Sequence, residues 1–211
     1  MTEIVATSDL HGTLPEIPLC DLLILAGDIC PDGSLVFQAT WLDQTLRKWL
    51  KNIPAKVIVA IAGNHDLIFE KAPELVPKNL PWHYLKDQRI EIAGLKIYGS
   101  PWQLPFWGAF NKDDIELEQQ YRNVPHDIDI FINHGPPYGI GDAVMRRDKQ
   151  ISHTGSIALR DKIFEIKPKL AIFGHIHDAF GRWDVDQIQF ANVSLLDDRM
   201  KPVHPLVHFK I

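Results

Sequence analysis

The sequence predicts an α/β fold, on three observations. Short unbroken apolar runs recur along the chain, as strands covered on both faces require. An amphipathic stretch of helical period stands between two of them, at the spacing of a βαβ unit. Nearly every apolar run also ends in a short motif bearing Asp, Asn or His rather than in a plain turn.

Ile4-Val5-Ala6-Thr7 is the first expected strand and Leu22-Leu23-Ile24-Leu25-Ala26 the second. Ser34 suits a helix N-cap, because its hydroxyl can accept from a free N–H of the first turn. Behind it Leu35, Ala39, Leu42, Leu46, Trp49 and Leu50 recur at helical spacing, so 35–51 reads as a helix that Pro54 closes. Val57-Ile58-Val59-Ala60-Ile61 is the third strand, reached by a right-handed crossover. Residues 71–88 are Pro-rich and read as irregular. Ile90-Glu91-Ile92 and Leu95-Lys96-Ile97-Tyr98 flank Ala93-Gly94, a hairpin pattern. An aromatic stretch at 101–110 precedes a helix at 113–122 and a strand at 128–132. Residues 135–154, with Pro136-Pro137, Gly139 and Gly141, read as a long loop. A helix at 156–167, a strand at 170–173 and two or three short strands within 187–210 complete the chain. No repeat or low-complexity linker divides residues 1–211, so a single domain is expected.

With 211 residues the chain can bury a substantial core, and its 45% hydrophobic content in periodic runs excludes a disordered or fibrous protein. A net charge of −5 with no run of like charge argues against coating extended nucleic acid, though not against holding one nucleotide at a metal. Cys20 and Cys30 have no CxxC spacing and read as reduced core residues. No apolar run reaches the roughly 18–20 residues of a membrane span, and no cleavable leader is evident, so a cytoplasmic protein is expected.

The motifs are Asp9-Leu10-His11, Gly27-Asp28, Gly63-Asn64-His65-Asp66, His134-Gly135 and Gly174-His175-Ile176-His177. Residues i and i+2 of an extended segment point the same way, so Asp9 with His11, and His175 with His177, can each reach a common ion. Asp28 has two carboxylate oxygens and can bridge two cations; Asn64 offers an amide oxygen and His134 an imidazole nitrogen. All are expected at the carboxyl ends of strands, where open α/β sheets bind ligands. Asp9, His11, Asp28, Asn64, His134, His175 and His177 would hold two divalent cations roughly 3.5–4 Å apart. A set without thiolate favours manganese, with iron, zinc or nickel as alternatives, over calcium or copper. Such a pair would activate a bridging hydroxide for in-line attack on phosphorus. His65, left over from the ligand set, is placed to protonate the leaving oxygen, and Asp66 to orient His65.

The order Asp-x-His, Gly-Asp, Gly-Asn-His-Asp, His-Gly, Gly-His-x-His resembles the calcineurin-like metallophosphoesterases over residues 7–178. Ile61-Ala62-Gly63-Asn64-His65, Ile97-Tyr98-Gly99-Ser100-Pro101-Trp102 and His134-Gly135-Pro136-Pro137 further resemble the small metallophosphoesterase-domain (MPPED) branch. The resemblance implies a four-layer α/β/β/α sandwich of two mixed sheets flanked by helices. It assigns Asp9, His11, Asp28 and His177 to one metal, Asp28, Asn64, His134 and His175 to the other, and phosphate contact to His65. Some members of the branch carry Gly where this chain has His175, so a fully ligated pair is expected here. The branch implies hydrolysis of cyclic nucleotide phosphodiesters. A phosphomonoesterase or protein phosphatase, a metal-binding regulatory module and a nuclease are the competing readings. The expected partner is a small phosphoester such as a nucleotide, with no membrane and no extended nucleic acid; oligomeric state stays open.

Other residues keep two readings. Trp102, Phe106, Trp107 and Phe110 form either a plug under a loop or a stacking platform for a nucleobase, with Trp102 the preferred ring. Asn64, Trp102 and His153 are candidate substrate contacts, His153 because it closes the loop after His134. Arg146 and Arg147 are solvated loop charges or part of a lid at 135–155 that folds over phosphate. Trp82 and Tyr84 belong to the core or to an interface; His83, His126, His204 and His208 read as surface or core histidines, and Asp197 and Asp198 as turn residues.

Overall fold

The apolar runs form strands where expected. In the computed structural model, which describes residues 1–146 and 148–211, β1 (Glu3–Thr7), β2 (Cys20–Ala26) and β3 (Ala55–Ile61) lie side by side in parallel. Side chains of β1 alternate between two cores. Ile4 and Ala6 pack with residues of a second sheet, while Val5 packs with helix residues Leu42, Leu46 and Leu50. That two-sided burial is why the strands read as unbroken apolar runs.

The helix between β2 and β3 starts at Ser34, whose hydroxyl accepts from the Phe37 N–H at 3.2 Å. It runs as α1 (Leu35–Trp41), one π-helical stretch (Leu42–Leu46) and α2 (Arg47–Asn52). A short α3 (Ile68–Lys71) follows β3. The stretch 71–88 is less irregular than its prolines suggest. It contains a 3-10 turn (Pro73–Leu75) and β4 (His83–Tyr84), which extends the first sheet beside β3. This places Trp82 and Tyr84 in the core beneath the helix layer, with the Tyr84 ring stacked on Phe69 at 4.7 Å.

The hairpin β5 (Gln88–Ile92) and β6 (Leu95–Ser100) opens the second sheet. α4 (Asp114–Tyr121) begins in a capping box, Asp113 and Glu116 each accepting the other's backbone N–H. β7 (Ile130–Asn133), α5 (Ile157–Ile166) and β10 (Leu170–Phe173) follow the expected order. The 135–154 segment is not simply a loop: β8 (Ala143–Met145) pairs with β9 (Ile151–His153) in a small hairpin. Strands of three residues carry too little alternation to compete with the Pro-Pro and Gly signals before them. Arg147 lies outside the described residues.

The tail supplies β11 (Gly181–Val185), β12 (Ile188–Asn192) and β13 (Val207–Lys210). β11 starts before the expected 187–210 window. It is a half-exposed edge strand, so its apolar signal is weak. The sheets are ordered β13-β1-β2-β3-β4 and β11-β12-β10-β7-β6-β5, both mostly parallel; the first has one antiparallel edge strand, β13, and the second has two, β11 and β5. Ile24, Ile61, Ile97, Ile132 and Ile172 fill the space between them. Leu117, Tyr121, Leu159 and Ile163 cover the outer face of the second sheet through Phe131, Phe173 and Phe190. The layers are therefore α/β/β/α. Among the described residues no helix is long and apolar enough to cross a membrane.

Candidate metal centre

Carboxyl ends of parallel strands from both sheets meet at one edge of the sandwich. Asp9 and His11 follow β1, Asp28 follows β2, Asn64 follows β3, His134 follows β7, and His175 and His177 follow β10. Backbone bonds tie these ends together: Asp9 N–H donates to Gly27 O at 3.0 Å, His11 N–H to Asp28 O at 2.9 Å, and Gly174 N–H to His134 O at 2.9 Å. Asp9, His11, Asp28 and His175 all adopt left-handed backbone, with φ of 53°, 42°, 51° and 70°. Non-glycine residues accept that conformation only where surrounding contacts enforce it. The motif glycines fit tight spaces. A Cβ on Gly63 would run into the Asp28 carboxylate and the His134 ring, and one on Gly174 into Ser8 and Asp9.

Among the described residues three groups of potential ligand atoms result, one of them His11 with Asp32 and His65 at the rim. Asp9, His11 and His177 present atoms within 4.8 Å of one another, and so do Asp28, His134 and His175. Asp28 lies between these last two groups: its Oδ2 is 3.7 Å from His11 Nε2 and 3.3 Å from His134 Nε2. Asn64 Oδ1 joins the group of Asp28 at 3.0 Å from His134 Nε2. The structure thus gathers all seven sequence-selected side chains at one place.

The residues fit divalent cations. Among the described residues neither ring nitrogen of the buried His11 side chain has a hydrogen-bond partner, an arrangement that leaves a polar group unsatisfied unless something else occupies its lone pair. His134 Nδ1 bonds Ala26 O at 3.0 Å and His177 Nδ1 bonds Asp197 O at 3.1 Å. Each bond fixes the ring and turns Nε2 inward, toward the carboxylates of the centre. Asp9 is braced by the Ser8 and Ser194 hydroxyls at 2.5 and 2.7 Å and by the His175 N–H. Nitrogen and oxygen donors of this kind suit divalent metal ions.

The electrostatics agree. Burial alone would raise Asp9, but the hydrogen bond and charge of His177, with His134 and His11, hold its carboxyl well below the usual range. Burial likewise opposes the ionised form of Asp28, and the charge and hydrogen bond of His134 override it, bringing Asp28 to about 2. Burial lowers His134 and His177, yet Asp28 and Asp9 respectively carry each to about 9. His175, buried and facing the charge of His134, falls to about 4. Those raised values favour protonated His134 and His177 rings opposite the two carboxylates.

The catalytic pair expected from sequence is half corrected. His65 sits at the rim, its ring 4.6 Å from that of His11. Asp66 does not orient it. The Asp66 N–H bonds Gly63 O, which turns the chain so that the carboxylate points inward. There it accepts from Cys30, Gly63 and Ile29 N–H at 2.7, 2.9 and 3.0 Å. Burial and the neighbouring Asp28 raise its carboxyl to about 6. The residue that holds His65 is Asp32, whose Oδ1 is 2.5 Å from His65 Nδ1. Asp32 lies in the loop after β2, and nothing in sequence ties it to His65. The peptide N–H of His65 donates to Asp28 Oδ1 at 2.7 Å.

The aromatic stretch splits. Trp102 touches the neighbouring cleft, but its Nε1–H donates to Asp87, Lys112 Nζ lies 4.3 Å from its ring centre, and Phe110 packs edge-on at 5.4 Å. The rings beside the centre are Trp107, 4.9 Å from His65, and Phe106, 5.2 Å from His175. Asn64 anchors this segment, its Nδ2 donating to Trp107 O and its carbonyl accepting from Ala109 N–H. His153 does not face the cleft: its Nδ1 pairs with Asp142 at 2.7 Å and its ring lies against Tyr138. Arg146 bonds Ser152 across the hairpin. Cys20 and Cys30 are free thiols in the core.

A profile of the calcineurin-like phosphoesterase family matches residues 2–179. Metallophosphoesterase domain-containing protein 1 of Homo sapiens is 30% identical, the alignment covering 97% of this chain and 69% of that protein. A more distant likeness, 27% identical over 76% of this chain and 59% of the other, is to a probable cyclic nucleotide phosphodiesterase of Synechococcus. Among solved structures, a protein of Thermus thermophilus superposes with a TM-score of 0.60 at 16% identity, covering 99% of this chain and 98% of its own, a likeness of fold.

Proposed function

Because the chain belongs to the calcineurin-like phosphoesterase family, we propose that it is a two-metal phosphodiesterase acting on a small phosphodiester of the cyclic nucleotide kind, in the cytoplasm. The observation that carries the reading is the pair of ligand groups on either side of Asp28, with His11 buried and unpartnered. Manganese is the favoured cation, with iron, zinc or nickel as alternatives. Two such ions, when bound, make a shared water acidic enough to lose a proton near neutral pH and draw negative charge from phosphoryl oxygens.

The chain's own residues do the rest. Asp9, His11, Asp28 and His177 would hold one ion, and Asp28, Asn64, His134 and His175 the other. Hydrogen bonds to Ala26 and Asp197 keep the His134 and His177 rings in one tautomer, so little reorganisation is needed at reaction. Asp32 fixes Nδ1 of His65 and leaves Nε2 directed away from that bond, available to give a proton to the leaving oxygen. Trp107 covers one side of His65 and limits its contact with water.

A diester is preferred over a monoester on charge. A monoester brings about two negative charges, whereas the residues flanking the centre on its open side are Phe106, Trp107, Asp178 and Asp198. The name of the Synechococcus relative supports the same choice. Manganese-loaded protein should turn over bis-para-nitrophenyl phosphate faster than the monoester, with elemental analysis giving two ions per chain. His65→Ala should keep both ions and lose roughly 100-fold or more in kcat. Faster turnover of the monoester refutes the diesterase choice, and a metal-loaded protein inert on both refutes the enzyme.

A further inference from the structure

A cleft of about 650 Å³ opens directly beside His175 and His177. The 101–106 segment contributes Leu104, Pro105 and Phe106 to it, and the β8–β9 hairpin contributes Val144, Met145 and Ile151. Neither face is covered by the rest of the fold: Phe106, Met145 and Ile151 are 65%, 68% and 67% exposed, far more than apolar side chains need to be in a chain with this much core. Among the described residues no Lys or Arg lines the cleft. Its free polar groups are acceptors. Gln103 is only 2% exposed; its Nε2 is spent on Ala109 O and Asn111 Oδ1, so it offers the cleft no donor. Asp178 and Asp198 stand side by side on the same lining, joined by the Asp198 N–H at 3.3 Å.

We infer that this cleft is the subsite for one organic arm of the phosphodiester, and that it selects an uncharged arm of aromatic size carrying N–H donors. The inference rests on the phosphodiesterase reading above and narrows it. Apolar side chains from two segments gain only if a flat or bulky apolar group fills the space between them. Two neighbouring carboxyls repel a second phosphate or a carboxylate and attract an amine or ring N–H. A nucleobase with an exocyclic amine meets both conditions; an oligophosphate meets neither. Trp102 and Gln103 then form the floor of an arm-binding cleft. The hairpin that reads as loop in the sequence becomes its outer wall, held by the pairing of Ala143–Met145 with Ile151–His153.

The test uses diesters that share para-nitrophenolate as leaving group and differ in the retained arm: methyl, para-aminophenyl and para-carboxyphenyl. The metal-loaded protein should prefer aminophenyl over carboxyphenyl by on the order of tenfold or more in kcat/KM, chiefly through KM, with methyl between them. Met145 and Ile151 are exposed cross-strand partners, so the double change Met145→Lys and Ile151→Lys should leave the fold and the metal content intact while its added positive charge collapses that ratio toward one. A direct readout free of turnover is binding of adenosine to the metal-free protein, followed by shifts of the 143–145 and 151–153 amide signals and weakened by the same double change. If the diesters are hydrolysed without arm preference, or if the double variant keeps the parent's ratio, the subsite assignment is wrong and the phosphodiesterase reading stands. If none is hydrolysed after metal loading, the reading beneath it falls and takes the assignment with it.

Discussion

Replacing Asp66 by Ala separates two roles that its place in the Gly63-Asn64-His65-Asp66 motif cannot distinguish. If Asp66 served His65, the change would lower turnover and spare stability. The structure gives it a different role. Its carboxylate collects the N–H groups of Ile29, Cys30 and Gly63, all at buried positions, and so pins the loop after β2 to the loop after β3. Each buried donor left without an acceptor costs roughly 1–3 kcal/mol. One effect runs the other way. Burial raises the Asp66 carboxyl from 3.8 to about 6, so at pH 7 the native protein holds a charge it disfavours, and removing it returns up to about 3 kcal/mol. The donors win, and a net loss of about 3 kcal/mol is expected, a fall of roughly 6–12 °C in the thermal midpoint of a chain this size. The sign with pH follows. A carboxyl whose folded pKa lies above its unfolded value makes the fold less stable as pH rises from about 4 to about 6, because the native state is then the one giving up the tighter proton. The variant lacks that decline, so its deficit against the parent should be larger at pH 5 than at pH 7. Urea unfolding of metal-free parent and variant at both pH values measures it. An unchanged midpoint together with lost kcat would show that Asp66 acts on His65 after all.

Four further outcomes are expected. Asp32→Asn should lower kcat roughly 10- to 100-fold with metal content unchanged, and should move stability by less than about 1 kcal/mol, since the Asp32 side chain is 58% exposed; loss of an ion instead would make Asp32 a ligand, as its grouping with His11 and His65 permits. Gly174→Ala drives a Cβ into Ser8 and Asp9, and should cost about 1–3 kcal/mol and weaken manganese binding in titration calorimetry; unaltered affinity would mean that Asp9 is free to move. Burial pushes the Cys30 thiol well above its ordinary value and raises Cys20 too, so neither should react with a disulfide reagent at pH 8 until denaturant is added; a fast-reacting thiol in the native protein contradicts the buried placement. Metal binding should release protons and weaken in acid, because ions replace the protons on His134 and His177; calorimetry in two buffers of different ionisation enthalpy reads the number released, and zero would refute the charge state assigned to the metal-free cluster.

What the sequence reveals, and what it hides, follows from how far each interaction reaches along the chain. Asp9, His11, Asp28, Asn64, His134, His175 and His177 are legible because each closely follows an apolar strand, and parallel strands deliver their carboxyl ends to a common edge. The four layers are legible through the resemblance, not through periodicity: unbroken apolar runs say that a strand is buried on both faces without saying what covers it. Asp66 is misassigned by its motif because adjacency in sequence is not adjacency in space; one turn, closed by the bond from Asp66 N–H to Gly63 O, sends neighbours 65 and 66 to opposite sides. β8, β9 and β11 escape a pattern reading because three-residue or half-exposed edge strands bury too little to leave an alternating signal.

The residues that brace the centre are hidden for a different reason. Ser194 donates to Asp9, Asn192 Nδ2 holds Ile176 O at 2.9 Å between the two histidines of the last motif, and Asp197 O orients His177. All three come from the stretch where β12 ends, and β12 runs parallel to β10, so it reaches the same edge of the sandwich as the strands that carry ligands. None belongs to the ligand set, and all lie beyond residue 179, where the family match stops. The tail is therefore part of the site's architecture without being part of its signature. A centre built from four left-handed residues and buried carboxylates needs this outer ring of hydrogen bonds to hold it, and such a ring uses whichever Ser, Asn or backbone carbonyl the topology brings near. That is why the ligands can be read from residue types in order, while their supports become visible only once the strands are set side by side.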